Sequence, residues 1–472
     1  MLQASTIFRS LFLTSLLLFS NSQLYADSKV TLMGDTFYNS LPDSWNKVKG
    51  DWQYFDVKKC FTSGDSCYGN NPSSPYAYPV FNAPPSEPTL DFKLNASDAV
   101  VIFLRTPPEM KYFGFTQYLF TRGGVADPIF ASMSDTLNLL QVKTFGSNQP
   151  GLNVFNQHMV LVWSADLNTY ESIKKMLVNQ GILETGINYI GMPIKLPLVM
   201  GETQTSDSFN MLMRTAFPTT QADFEAYMKE KPFYVVKLGL KTPGPTNPAP
   251  TVEYVSDISG VIESTKTQSN AQLQTALDSL VLDIKKKYLK DFSFKDKSVS
   301  FTDKVGWDCI SGKAICNGDN HDALYSLDVP GAVLFNDPKD VVIVIGVNHQ
   351  KTGKALYVNH SVYDTVKIAG IVGVGDSALS TESALFHAGV KSPNDPRRIQ
   401  YQNLYAYAIS YDCTGLNFCL QIPPPTPDNP VGLLPKSPFL LISRTYVDKL
   451  TKVRPSMNEV IKHQVIIGSK KY

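Results

Sequence analysis

Cys60 to Tyr76 reads CFTSGDSCYGNNPSSPY, and Cys309 to Tyr325 reads CISGKAICNGDNHDALY. Aligned on their first cysteines, the two stretches share Cys60/Cys309, Cys67/Cys316, Gly69/Gly318, Asn71/Asn320 and Tyr76/Tyr325, with Trp52 and Trp307 shortly upstream. The match continues in kind. AVVIFLR from Ala99 and DVVIVI from Asp340 are apolar, β-branched runs with the length of buried strands. Each leads through a turn signal, Thr106-Pro107-Pro108 or Lys351-Thr352-Gly353, into an aromatic strand, YFGFTQYLF from Tyr112 or ALYVNHSVY from Ala355. MVLVW from Met159 precedes an expected helix over 169–178, and FLLI from Phe439 precedes expected helices over 444–452 and 458–464. Self-similarity of this kind points to duplication of one unit. Such units pack as a pseudo-symmetric pair, and the groove between them is the default binding site.

The expected fold is therefore α+β and mainly antiparallel, with two pseudo-symmetric halves and few helices. Residues 27–205 form the first half, 206–298 a connecting α/β region, and 299–472 the second half. The clearest helix runs over 271–289, where Leu273, Leu277, Leu280, Val281, Ile284 and Tyr288 share one face and Asn270 is the expected cap. LYAYAISY from Leu404 alternates with period two, which puts Tyr405, Tyr407, Ile409 and Tyr411 on one side of a strand.

Residues 1–26 read as a secretory signal. Arg9 is followed by the apolar run LFLTSLLLF from Leu11, and Leu24-Tyr25-Ala26 offers a small-residue cleavage site. The remainder lacks the roughly 18 consecutive apolar residues of a membrane helix. It is expected to be soluble, in the periplasm or outside the cell. With 43 basic and 42 acidic residues, the chain offers no electrostatic case for nucleic acid or an anionic membrane as partner. An even number of cysteines in an exported chain implies disulfides, and three close pairs, Cys60 with Cys67, Cys309 with Cys316 and Cys413 with Cys419, suggest three local bridges. No pair has the two-residue gap of a zinc knuckle.

Asn320-His321-Asp322-Ala323-Leu324-Tyr325-Ser326 resembles the Asn-x-Asp-Thr-Leu-Tyr-Ser signature of uncharacterised bacterial envelope proteins with paired domains. Ala323 stands where that signature has Thr, and the first half keeps Asn71 and Tyr76 of it. The resemblance covers about a tenth of the chain. It implies a β-rich exported fold and carries no chemistry. Asn71, Tyr76, Asn320 and Tyr325 are the candidate binding residues on this basis, although Asn and Asp in such loops commonly brace turns.

Three of the six histidines, His321, His349 and His360, fall in one stretch, with Asp322 beside the first. If the loop at Asn320 folds over the following hairpin, His321, Asp322, His349 and His360 are the candidates for an acid–base or divalent-metal site; no other cofactor is expected. Gly375-Asp376-Ser377-Ala378-Leu379 resembles the nucleophile block of secreted GDS(L) esterases, but it lies late in the chain and no Asp-x-x-His follows it. Ser377 needs His387 or His463 in space to act as a nucleophile. The leading expectation is an exported binding or structural protein. The alternative is a secreted hydrolase, metal-assisted, in the second half.

Overall fold

The computed structural model describes residues 28–63, 66–81, 89–123, 125, 128–193, 197–248, 260–302, 306–312, 315–328 and 331–472. The signal read over 1–26 lies outside them.

The β-branched runs form the centres of sheets. Ala99–Arg105 and His158–Ser164 pair antiparallel, with both faces buried along almost their whole length. They belong to a sheet ordered Ala131–Ser132, Met110–Thr121, Ser208–Pro218, Tyr76–Val80, Trp45–Tyr54, Phe233–Leu240, Ala99–Arg105, His158–Ser164, Ile187–Gly191. The last pair is parallel. Trp45–Tyr54 bends between two partners: Trp45 to Gly50 pair with Phe233–Leu240, and Asp51 to Tyr54 with Tyr76–Val80.

The later residues form two five-stranded sheets. One is ordered Phe292–Lys297, Gln464–Lys470, Val341–Val347, Leu404–Ser410, Cys419–Gln421, again with a parallel final pair. The other is ordered Ser300–Thr302, Ala323–Leu327, Phe439–Tyr446, Tyr357–Asp364, Gly370–Gly375. The result is an α+β fold dominated by antiparallel sheet. The strand Leu404–Ser410 alternates as its sequence requires. Tyr405, Tyr407 and Ile409 face one apolar cluster, which Tyr411 also joins, and Leu404, Ala406 and Ala408 face another.

Helices cover the outer faces. The helix over 28–40 lays Val30 and Phe37 onto Val101, Phe103, Val160 and Val162. Asn270–Lys287 lays Leu273, Leu277, Leu280 and Ile284 onto Val341, Ile343 and Ile345. Its cap is Ser269, one residue before the expected Asn270. The Ser269 hydroxyl accepts from Gln272 N, and the Gln272 side chain returns to Ser269 N, a capping box that satisfies two orphan amides together. Asn270 instead donates to Glu263 O at 3.1 Å.

The helices expected over 444–452 and 458–464 do not form. Arg444, Thr445 and Tyr446 continue the strand Phe439–Tyr446, paired with Asn359, Val358 and Tyr357, and Gln464 opens the strand Gln464–Lys470. Thr445 and Tyr446, like Val465, Ile466 and Ile467, are strand formers, and pairing on both sides fixes them there. Within 206–298, Ser208–Pro218 and Phe233–Leu240 hydrogen-bond inside the first sheet, while Asn270–Lys287 and Phe292–Lys297 build on the Val341–Val347 sheet.

Candidate functional site

The three disulfides close as the local pairs: Cys60–Cys67, Cys309–Cys316 and Cys413–Cys419. The first two do more than pin their own loops, because each loop reaches across to a connecting segment of the other part of the chain. Cys67 N donates to Lys367 O at 2.8 Å and Gly69 N to Ile368 O at 2.7 Å. Reciprocally, Cys316 N donates to Ile129 O at 2.9 Å and Gly318 N to Phe130 O at 2.8 Å.

Two buried arginines follow the same exchange. Arg214 Nη2 donates to Gly318 O at 2.6 Å and Nη1 to Thr116 Oγ1 at 3.1 Å. Its guanidinium lies 5.3 Å from the centroids of both Tyr76 and Tyr118. Arg444 Nη2 donates to Gly69 O at 2.8 Å and Nη1 to the Tyr363 hydroxyl. It lies 5.3 Å from the Tyr325 ring and 5.4 Å from Tyr363. Sheet register places each Arg on its tyrosine, since Tyr76 is the cross-strand partner of Arg214 and Tyr325 of Arg444. A guanidinium over aromatic faces gains cation–π attraction, which grows as water leaves.

Both arginines line a cavity of about 350 Å³ between the two loops. Tyr76, Tyr325, Phe130, Ile368, Leu212 and Ile442 form much of its wall. Of its polar walls, Asp319 is the carboxylate. It accepts from Ser132 N at 2.7 Å and Gly306 N at 2.9 Å, and burial pushes its carboxyl up against the pull of those donors and of Arg214. Asn70 holds the matching place beside Gly69, with its Oδ1 accepting from Gly370 N. Arg444 thus faces a neutral amide where Arg214 faces an acid.

Of the four candidate binding residues, Tyr76 and Tyr325 line this cavity, and Asn71 and Asn320 lie outside its wall. Tyr76 and Tyr325 stack on the arginines. Asn71 and Asn320 brace turns and bridge the two parts of the chain: Asn71 Oδ1 accepts from Ser73 N and from Asn359 Nδ2 at 2.9 Å. Asn320 Oδ1 accepts from Asp322 N at 2.8 Å and Thr136 Oγ1 at 2.9 Å.

The acid–base candidates stand apart from one another. His321 Nδ1 meets the Asp135 carboxylate. Asp322 takes hydrogen bonds from Tyr112 and Asn138. His349 Nδ1 meets Glu263 Oε1 at 2.7 Å; burial pushes the Glu263 carboxyl up, but the imidazole and the Ile461 amide outweigh it and hold it below its ordinary value. His360 meets Asp328 at 3.1 Å and the Tyr405 hydroxyl at 2.7 Å. His321, His349 and His360 therefore sit on three different carboxylates. Ser377 is exposed on a turn, Asp376 beside it accepts from Val358 N, and the two histidines it needs are engaged elsewhere: His387 on Tyr288 and Phe418 O, His463 on Asp328.

Arg214, Arg444 and Asp328 are absent from the sequence candidates. Arg214-Thr215 and Arg444-Thr445 are the same dipeptide on matching strands, the one signal that could have marked the arginines beforehand.

No family model and no curated protein matches the chain. A solved structure of an uncharacterized protein from Burkholderia cenocepacia is similar over 96% of this chain and 98% of that one, with 10% sequence identity and a TM-score of 0.39.

Proposed function

We propose that the chain is an exported binding protein, formed by duplication of one unit, that holds a small organic anion in the cavity between its halves. Two buried guanidiniums opening on one largely apolar cavity carry this reading. Burying a charge is costly without a counter-charge, and Arg444 has none in ion-pair distance among the described residues. An anionic head on an apolar or aromatic body supplies both the charge and the contacts such walls favour.

The duplication reading is supported by strand order. Phe233–Leu240, Ala99–Arg105, His158–Ser164 and a parallel final strand correspond in sequence order and orientation to Gln464–Lys470, Val341–Val347, Leu404–Ser410 and a parallel final strand. Export is supported by the signal pattern and by three disulfides, which persist in oxidising compartments. No helix of the described residues is long and apolar enough to cross a membrane.

The test is calorimetry of the dialysed protein against medium-chain and aromatic carboxylates and their phosphate counterparts, beside mass spectrometry of what denaturation releases from protein purified from its host. Arg444→Lys keeps the charge and loses the fork, so it should weaken binding by about 10–100-fold, the worth of a charge-assisted hydrogen-bond pair. No binding across the panel together with no released anion, or binding that ignores both Arg444→Lys and Arg214→Lys, would sink the proposal.

A further inference from the structure

The two sheets of the second half enclose a polar cluster in an otherwise apolar core. Asp328 follows the strand Ala323–Leu327, His360 lies on Tyr357–Asp364, and Ser443 is the cross-strand partner of His360 on Phe439–Tyr446. From the facing sheet come His463, just before Gln464–Lys470, and Tyr405 on Leu404–Ser410. All five are buried, with Asp328 and His360 at 0% exposure.

Their polar atoms converge. Asp328 Oδ1 meets His463 Nε2 at 2.7 Å and Ser326 Oγ at 2.6 Å. Asp328 Oδ2 meets His360 Nδ1 at 3.1 Å, and Ser443 Oγ touches both of those atoms. One ligand atom each from Asp328, His360 and His463 lies within 4.8 Å of the others. The two rings stand 4.9 Å apart at 77°, and each meets the carboxylate through a ring nitrogen.

The first half contains an internal control. Tyr112 and Tyr118 stand to Arg214 as Tyr357 and Tyr363 stand to Arg444, so counting along the strands places Phe115 at the position of His360 and Met213 at that of Ser443. Phe115 and Met213 are themselves cross-strand partners and are buried. The fold is satisfied there by an apolar pair. A buried carboxylate with two imidazoles is not needed to hold these strands together and costs desolvation that Phe115 and Met213 avoid.

From this juxtaposition we infer that Asp328, His360 and His463 bind a first-row divalent transition metal, zinc being the best match. Two imidazole nitrogens and one carboxylate are donors that suit zinc and its neighbours, whereas calcium and magnesium prefer all-oxygen sites. Ser443 Oγ occupies the fourth position. The far nitrogen of His360 is held by Tyr405, the kind of outer partner that fixes a ligating imidazole in orientation and tautomer. Burial of the whole cluster makes it a closed, structural site filled during folding. None of its three ligands lines the anion cavity, although Ser326, which donates to Asp328, stands on that cavity's wall.

The test uses the full chain with its disulfides intact. Protein is unfolded in guanidinium with a chelator, then refolded with zinc, with cobalt, or with no metal. Wild type should take up one equivalent of either ion and hold it through dialysis, with cobalt giving visible ligand-field bands. Its melting temperature should fall when it is refolded without metal. H463Q should bind at least about tenfold less metal. The double variant His360→Phe/Ser443→Met, which copies the first-half pair, should fold without metal, bind none, and melt at one temperature whether zinc is supplied or not. The inference is overturned if wild type refolded with zinc or cobalt retains neither, or if the double variant retains the same equivalent, which would place the ion elsewhere.

Discussion

Asp322 lies buried where the two halves meet, with Asn138 Nδ2 3.0 Å from both of its oxygens and the Tyr112 hydroxyl 2.8 Å from one. Burial pushes its carboxyl up to about 8, against the pull of Tyr112 and Asn138. A raised acid keeps its proton in the folded chain at pH values where the unfolded chain has released it. Its contribution to stability is therefore full below the unfolded value near 4 and is lost as pH rises toward about 8. Each pH unit in that window costs up to about 1.4 kcal/mol. Asp322→Asn removes that term. Urea unfolding between pH 5 and 7.5 should show wild type losing stability with rising pH more steeply than Asp322→Asn, and parallel curves would show that Asp322 is already ionised. His387 works in the opposite sense. Burial lowers its imidazole to about 4, so its contribution is lost as pH falls below the ordinary value near 6.5, which leaves the higher part of the window to report on Asp322.

At the scale of the element, the two cysteine loops show how much conformation a short sequence can specify. Tyr68-Gly69 and Asn317-Gly318 both place two successive residues at positive φ, 53° and 64° in one and 51° and 66° in the other. The shared Cys-x-Gly spacing was readable because the bridge and the turn are both local. The arginines were not, because the loop that each one bonds is more than 100 positions away in the chain, and only sheet register brings them together. Arg444 opens Arg444-Thr445-Tyr446-Val447, where the three residues after it favour strands, so local preference already argued against the expected helix. The 18-residue helix Asn270–Lys287, by contrast, was legible from period alone. The loops also give an asymmetric prediction. A methyl at Gly69 meets nothing closer than Ile368 at 3.8 Å, so Gly69→Ala should cost only the left-handed strain of about 1–2 kcal/mol. At Gly318 the methyl falls 2.8 Å from the Phe130 ring, and overpacking adds about 1–3 kcal/mol more. Urea unfolding of the two variants should rank them in that order; equal losses would mean that Phe130 yields freely.

At the scale of the whole molecule, residues from the earlier and the later part of the chain meet around the cavity that Arg214 and Arg444 line. Pairing of the halves depends on contacts between residues distant in sequence, which no local pattern encodes. The described residues up to 248 build the first sheet and its helices, and those from 260 build the second pair of sheets. Yet the loop at Cys67 hydrogen-bonds to Lys367 and Ile368, and the loop at Cys316 to Ile129 and Phe130. Arg214 and Arg444 each bond a glycine carbonyl of the opposite loop. Tyr112 closes the middle against Tyr446 and Tyr357, with centroids at 4.8 and 6.1 Å, and donates to Asp322. Such contacts are reciprocal, as in a two-fold dimer in which the same patch meets itself. Parting would expose the apolar cluster that Tyr112, Phe113 and Met213 share with Ala323, Tyr357, Tyr446 and Val447, so separation is far costlier than the relative motion usual between loosely joined domains. The covalent connection through 249–259 should therefore be dispensable once folding is complete. A protease site engineered into that segment and cut after purification should leave both pieces eluting together in gel filtration at native pH. The cut protein should unfold in urea as one transition, with the fluorescence of its four tryptophans falling at the same midpoint as circular dichroism of the whole. Two pieces eluting apart, or two resolved midpoints in the uncut chain, would show that the exchanged loops add specificity without binding the halves into one cooperative unit.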